Sequence, residues 1–465
     1  MRPRLREHWK LVVLAIAMIV GAVTMVTLAL TDRPAVVDTE TEQFVVDTSL
    51  GDRPEQAWSL AVRRLTDNSG DVLLSMPYSL DTYHGYGGVL DAGQMLIAAV
   101  ANPLADNGDQ ASGRPVGAVT LVGVNPADGS AAWKTRIGNV SQCSQQVEAV
   151  VLSCWAGRRV LFVDTASGKL LSEMGTDFDV NGAQVVDDTV YVSGTEVDRD
   201  AGRPVLTSGT VTDISANFRR TFEAEGEYPS VYAVPATDSV IATARGNGDP
   251  QYVYTVYDLA TGTKRFTFGG DSLQPVGDGM FLASRGGRSG TVGTQDLLAA
   301  DGALIRAVPI PAYSAASYPS KPSVPAPLFL GDGAYDPATG AERWRSPALV
   351  KDESAGRDTA LAAVVGRAAL VTSPQTRTIT GLDLESGREL WQTPWQDAYW
   401  IRDGLTDGEH FVFGDYTGIH SIRARDGKIM WSLPLPDGAD PRHVRVSSAG
   451  GSLMVSVRDQ FTFWR

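Results

Sequence analysis

The sequence predicts an all-β fold: a β-propeller of about eight four-stranded blades, with seven or nine as the alternatives, preceded by one transmembrane helix. Three observations predict the propeller. A short Asp–Gly turn motif recurs along the chain, its copies lie about 40 residues apart, and runs of period-two alternation fill the space between them.

The motif is an apolar–Asp pair, two variable residues, a small residue, Gly and, a few positions on, an aromatic. Asp258 and Gly262 are followed by Phe266, Asp336 and Gly340 by Trp344, and Asp383 and Gly387 by Trp391. Asp164 and Gly168 form a copy without the aromatic. Asn125 takes the Asp slot in the copy that ends at Gly129 and Trp133, and a shorter copy runs from Arg423 through Gly427 to Trp431. Weaker copies lie at Asp213 to Phe218 and Ala299 to Ile305. The physical reading is a β-hairpin. The Asp accepts from backbone N–H groups and starts the turn, and the Gly supplies a positive φ. The aromatics Trp133, Phe266, Trp344, Trp391 and Trp431 are then expected to pack between neighbouring sheets.

Spacing and alternation give the same answer. Gly129 and Gly168 are 39 apart, Gly262 and Gly302 are 40 apart, Gly302 and Gly340 are 38, and Gly387 and Gly427 are 40. Thr189 to Val192, Val253 to Val256, Phe411 to Phe413 and Leu453 to Val457 read as strands. Outside the N-terminal segment no stretch has a helical period. Ala57 to Leu60 looks like a last strand with no repeat before it, and Met454 to Phe463 like a repeat with no last strand after it. Joining them closes the ring and removes an open edge. The blade count turns on the degenerate stretch from about 270 to 330.

At these residues the chain resembles the quinoprotein-like (PQQ-like) β-propeller repeat family. Blades of that family carry an Asp-x-x-Thr-Gly-x-x-x-Trp type motif at this period. The resemblance covers about 55 to 465. In character the chain is more similar to the non-enzymatic, eight-bladed BamB-like scaffold proteins than to the alcohol and glucose dehydrogenases. The dehydrogenases stack their quinone on a disulfide of adjacent cysteines, and this sequence has no Cys-Cys pair. No position matches their calcium ligands or catalytic Asp. The resemblance therefore implies a fold, and it implies neither a cofactor nor an enzyme.

Residues 1–10 carry Arg2, Arg4, Arg6 and Lys10 against Glu7, and residues 11–30 carry no charge. Twenty apolar residues at helical rise span a bilayer, and the basic flank stays in the cytoplasm. The run is long for a signal peptide, and Thr27-Leu28-Ala29 is a poor cleavage site. An uncleaved single-pass anchor is expected at 11–30, then a polar tether at 31–54 and the propeller at 55–465, outside the cytoplasm.

The net charge of −14 argues against a nucleic-acid partner, because phosphate binding needs clustered Lys and Arg. The only cysteines, Cys143 and Cys154, flank a strand-like run. In an exported domain they either pair across a hairpin or remain as two free thiols, one of them buried beside Trp155.

Little else carries chemistry. His8, His84, His410, His420 and His443 form no metal-binding spacing, although His410 and His420 fit neighbouring strands. There is no Gly-x-Ser-x-Gly elbow and no phosphate loop. Asp106-Asn107-Gly108-Asp109 begins like a calcium loop but lacks a Glu at the twelfth position. Tyr83, His84 and Tyr86 on a Gly-rich run form a candidate binding loop, and the Pro-rich stretch 309–327 a second candidate contact site. The expected function is a membrane-anchored, extracytoplasmic protein-binding or scaffolding module with an envelope protein as partner and no cofactor. The alternative is a PQQ-dependent dehydrogenase-like, small-ligand- or sugar-binding propeller that uses its central channel.

Overall fold

The computed structural model describes residues 44–61, 64–66, 72–73, 89–101, 118–144, 150–196, 202–224, 226–246, 251–276, 279–286, 293–309, 318–349, 360–398, 401, 404–435, 444–457 and 460–465. Two units divide the chain, Met1–Asp38 and Thr39–Arg465, and every described residue belongs to the second. The expected anchor at 11–30 lies outside the described residues. Among those described, no helix is long and apolar enough to cross a membrane.

Apart from short 3₁₀ turns, regular structure among the described residues is strand, arranged in nine sheets. Eight blades were expected; the alternative of nine is the one found. We number the blades in chain order. The fourth shows the plan: Glu227–Val234, Ser239–Arg245, Tyr252–Asp258 and Lys264–Gly270 form one antiparallel meander. The middle strands are apolar on both faces, as sheets stacked on both sides require. The fourth strand is the exposed outer edge.

The ring closes through its chain ends. Gln56–Ala61 pairs with Gln460–Trp464, and Ser452–Val457 and Val444–Ala449 complete the ninth blade. Nine core clusters join neighbouring blades in an unbroken cycle. In the last of them, Trp58 and Phe463 of the ninth blade meet Leu96 and Val122 of the first. The Trp58 and Phe463 rings stack at 5.1 Å.

The sixth blade is irregular. Its Leu328–Leu330, Gly333–Tyr335 and Glu342–Arg345 make three strands. The strand that precedes them, Ser320–Pro322, pairs instead in parallel with Ala360–Gly366, the first strand of the seventh blade. The stretch 309–327, the second candidate contact site, therefore contains a strand. A second parallel contact, Val45 with Thr406, lies on the eighth blade.

In a four-stranded meander the turns after the first and third strands fall at one end of the blade. The connections after the second and fourth fall at the other. The Asp–Gly turns thus share a turn face with the first hairpins: Gly450 donates to Asp91 Oδ2 at 2.7 Å between two such hairpins. The opposite end of each blade is its loop face.

Candidate functional site

Each repeat Asp holds its own turn. Asp164 Oδ1 accepts from the Ser167 N–H at 2.7 Å and the Ser167 hydroxyl at 2.6 Å. Asp258 does the same with Thr261, Asp336 with Thr339 and Asp383 with Ser386. The donor lies three residues on, and the small residue before the Gly is Ser or Thr because its hydroxyl also donates. Arg265 and Arg343 add ion pairs at 2.8 Å to Asp258 and Asp336. Those guanidiniums, together with the Thr donors, hold both carboxyls down at about 2. These oxygens face protein donors, so the repeat carboxylates serve turns.

The fourth-strand side chain of one blade reaches the turn of the next. Trp133, Trp344 and Trp391 donate their indole N–H to the carbonyls of Thr165, Leu384 and Ala424, at 3.2, 2.8 and 2.7 Å. Trp58 donates to Pro126 at 3.0 Å. Each ring lies over a turn Gly: a Cβ on Gly387 would come within 2.3 Å of Trp344, and its φ of +67° disfavours any L side chain. Phe266 fills the slot over Gly302 and Ile305 the one over Gly340, without a donor. Ser172 donates to Val211, and Arg220 to Leu259 and Ala260. Ile305 ends one of the weaker copies, whereas Ser172 and Arg220 fall outside the motif, because the slot selects for reach and shape, not for one residue type.

Cys143 and Cys154 are a directly opposed cross-strand pair and form a disulfide. Both are buried, at 2 % and 0 % exposure. The bond ties the first two strands of the second blade together.

His410 and His420 do lie on adjacent strands, but they are not a pair. His410 Nδ1 is 2.9 Å from Asp407 Oδ2. His420 bridges Asp415 Oδ1, 3.1 Å from Nε2, and the Ser432 hydroxyl, 2.8 Å from Nδ1. These are the residue types of a nucleophile relay. Asp415 also accepts from the Trp395 indole at 2.9 Å, the Thr417 amide and hydroxyl at 2.7 and 2.8 Å, and the Gly418 amide at 3.1 Å. It therefore pins Trp395 of the seventh blade to the eighth. Burial pushes its carboxyl up, but the bonds from His420 and Thr417 outweigh that and hold it at about 2. Among the described residues, no cluster of His, Cys, Asp and Glu could hold a metal.

Tyr83, His84 and Tyr86 lie outside the described residues, as does 106–109. What the structure does present on the loop face is a tyrosine surface on the fourth blade. Tyr228 is 78 % exposed and sits at φ +54° beside a bulge, and Tyr252 is 42 % exposed; Tyr232, 38 % exposed, lies nearer the turn end of the first strand, opposite Ile241. Tyr252 packs on Tyr254 at 6.2 Å, and Tyr254 donates to the Asp271 carbonyl at 2.9 Å. Burial raises the Tyr232 and Tyr254 phenols to about 12. They stay protonated donors at neutral pH. Rigid, amphipathic tyrosines at the end of a blade suit a protein surface. The sequence did hold a signal: five of its 14 tyrosines fall between 228 and 257.

Residues 333–395 and 375–455 match the family model of the outer membrane protein assembly factor BamB. This match supports the resemblance read from the repeats, over the sixth to ninth blades. No curated protein matches the chain. Among solved structures, BamB from Moraxella catarrhalis is 12 % identical at a TM-score of 0.43, covering 89 % of this chain and 98 % of that one. Sqt1 from Saccharomyces cerevisiae is 10 % identical at 0.39, covering 84 % and 99 %. The Cps50 (Swd1) β-propeller domain from Myceliophteria thermophila is 11 % identical at 0.36, covering 89 % and 99 %.

Proposed function

We propose that this chain is a membrane-anchored, extracytoplasmic scaffold of the bacterial cell envelope that binds a partner protein on the loop face of its propeller. The observation that carries the reading is the division of labour between the two faces. The repeat carboxylates of the turn face are taken up in their own turns, whereas the loop end of the fourth blade carries the exposed Tyr228 and Tyr252. The basic residues 1–10 and the uncharged run 11–30 support the anchor and its orientation. Residues 31–43 would then serve as the tether.

Two measurements test this. The chain should partition with membranes, resist carbonate washing and yield to detergent; a mature product beginning beyond residue 30 would remove the anchor. Cross-linking in membranes should capture a discrete envelope protein, and the Tyr228→Ala/Tyr252→Ala double variant should lose it without a change in melting temperature. Equal capture by that variant would exclude the tyrosine surface. A bound chromophore with dye-linked oxidation after addition of PQQ and Ca²⁺ would replace the scaffold reading with the dehydrogenase-like one.

A further inference from the structure

Residues 44–55 precede the first repeat, yet they lie across the turn face of the eighth blade. The Val46 N–H donates to the Thr406 carbonyl and the Thr406 N–H to the Phe44 carbonyl, both at 2.9 Å. Lys321 Nζ donates to the Val46 carbonyl at 3.1 Å, and the Thr48 hydroxyl to the Gly451 carbonyl at 3.0 Å. The Leu50 N–H donates to Asp407 Oδ2 at 2.7 Å. Its carbonyl accepts from the Ser421 hydroxyl at 2.8 Å and the Trp431 indole at 2.9 Å. Val46 and Leu50 are 1 % and 3 % exposed, inside the core cluster of the eighth and ninth blades. Gly51 lies so close to the His410 ring that a Cβ would come within 2.7 Å of it. The segment thus runs from the first strand of the eighth blade, Gly404–Thr406, to its fourth, Ile429–Pro434. It then feeds directly into Gln56–Ala61, the outermost strand of the ninth.

The junction rule explains why it lies there. Elsewhere a fourth-strand side chain meets the turn between the third and fourth strands of the next blade. The ninth blade has no such turn, because its third strand, Gln460–Trp464, and its fourth, Gln56–Ala61, are not consecutive in the chain. The Leu50 carbonyl stands in for the absent turn carbonyl. The stretch expected to be a free tether up to residue 54 is, from 44 onward, part of the ring.

We propose that residues 44–55 are a latch. The ring is shut at its ninth blade only while this segment is seated, and a load or a partner acting on the chain ahead of residue 44 opens the ring there by withdrawing it. Pull arriving at residue 44 meets the Val46–Thr406 bonds first, then the buried Leu50, and only then the ladder of Gln56–Ala61 with Gln460–Trp464. The proposal rests on ring closure and stands whether or not residues 11–30 are an anchor.

Hydrogen–deuterium exchange on the full-length chain tests it. Leu50→Asp puts a carboxylate into an apolar site that is 3 % exposed. Amide exchange should rise at least tenfold in three places: Gly404–His410, Gln56–Ala61 and Gln460–Trp464. Blades two to five should keep wild-type protection. Val46→Ala is the milder variant, with the same pattern at a severalfold rise. If Gly404–His410 loses protection while the two closing strands keep theirs, the segment is decoration and the proposal fails. Loss of protection in all nine blades alike, with both variants, overturns it too, because closure would then be inseparable from global folding.

Discussion

The Trp431 indole N–H reaches the Leu50 carbonyl at 2.9 Å across 381 residues of sequence, and so joins the eighth blade to a segment that precedes the first. It is the same bond that Trp391 makes to Ala424 and Trp344 to Leu384. At Leu50 alone the acceptor comes from outside the next blade's own turn. The equivalence of these junctions makes their energetics predictable.

Trp391→Phe keeps a ring over Gly427 and removes only the indole N–H. Unfolding stability should fall by about 1 kcal/mol, the net worth of one hydrogen bond. Trp391→Ala empties the slot and should cost about 3–5 kcal/mol. The pair is read from urea-denaturation midpoints. A Phe variant as damaging as Ala would mean that the donor, rather than the ring, holds the junction. Phe266 already performs the ring role without a donor over Gly302.

Gly387→Ala and Gly157→Ala separate backbone strain from steric clash. Both glycines have positive φ, +67° and +53°. Only Gly387 faces a ring, and the space beside Gly157 is open to 4 Å. The Gly157 variant should lose about 1 kcal/mol and the Gly387 variant roughly 3 kcal/mol or more, since the Trp344 ring must also move. Thermal melts of the two purified variants check the difference; equal losses would remove the clash from the account.

Cys143→Ser should destabilise the chain by about 3 kcal/mol, the chain-entropy value for a loop of this size. Because both sulfurs are buried, reductant without denaturant should leave the wild-type bond intact. Mass spectrometry after alkylation, with and without urea, decides it. Ready alkylation of the native protein would show that the second blade opens locally.

Asp415 sets an acid limit. Its folded-state pKa is about 2, below its ordinary 3.8. A depressed carboxyl contributes stability that is complete above its unfolded pKa and is lost as pH falls through the folded one. The loss should therefore run between about pH 4 and pH 2 and amount to about 2–3 kcal/mol. Asp415→Asn should flatten that part of the stability–pH curve while lowering stability at pH 7, because only one of the two oxygens that serve His420 and Trp395 remains to accept. An unchanged slope between pH 4 and 2 would assign the acid sensitivity to other carboxylates.

The sequence by itself determined the parts of this protein that are local. Asp258, Thr261 and Gly262 make a turn from neighbours within five residues, and the recurrence of that chemistry announced a ring of sheets. Ala57-Trp58 and Phe461 to Phe463 announced how the ring closes, because an unpaired edge at each chain end calls for the other. The tyrosine surface left only a compositional trace, since Tyr228 and Tyr252 become one surface only when their strands share a sheet. Three features were decided by tertiary structure alone: the ninth blade, the displacement of Ser320–Pro322 onto the seventh, and the seating of residues 44–55. Each depends on partners that only the closed ring brings near. Ser172, Arg220 and Ile305 serve junctions as Trp does because the slot demands reach and shape rather than identity, and Leu50 supplies only a backbone carbonyl, which every residue has. A spacing pattern can register a side chain that recurs, but it cannot register a carbonyl or a fit.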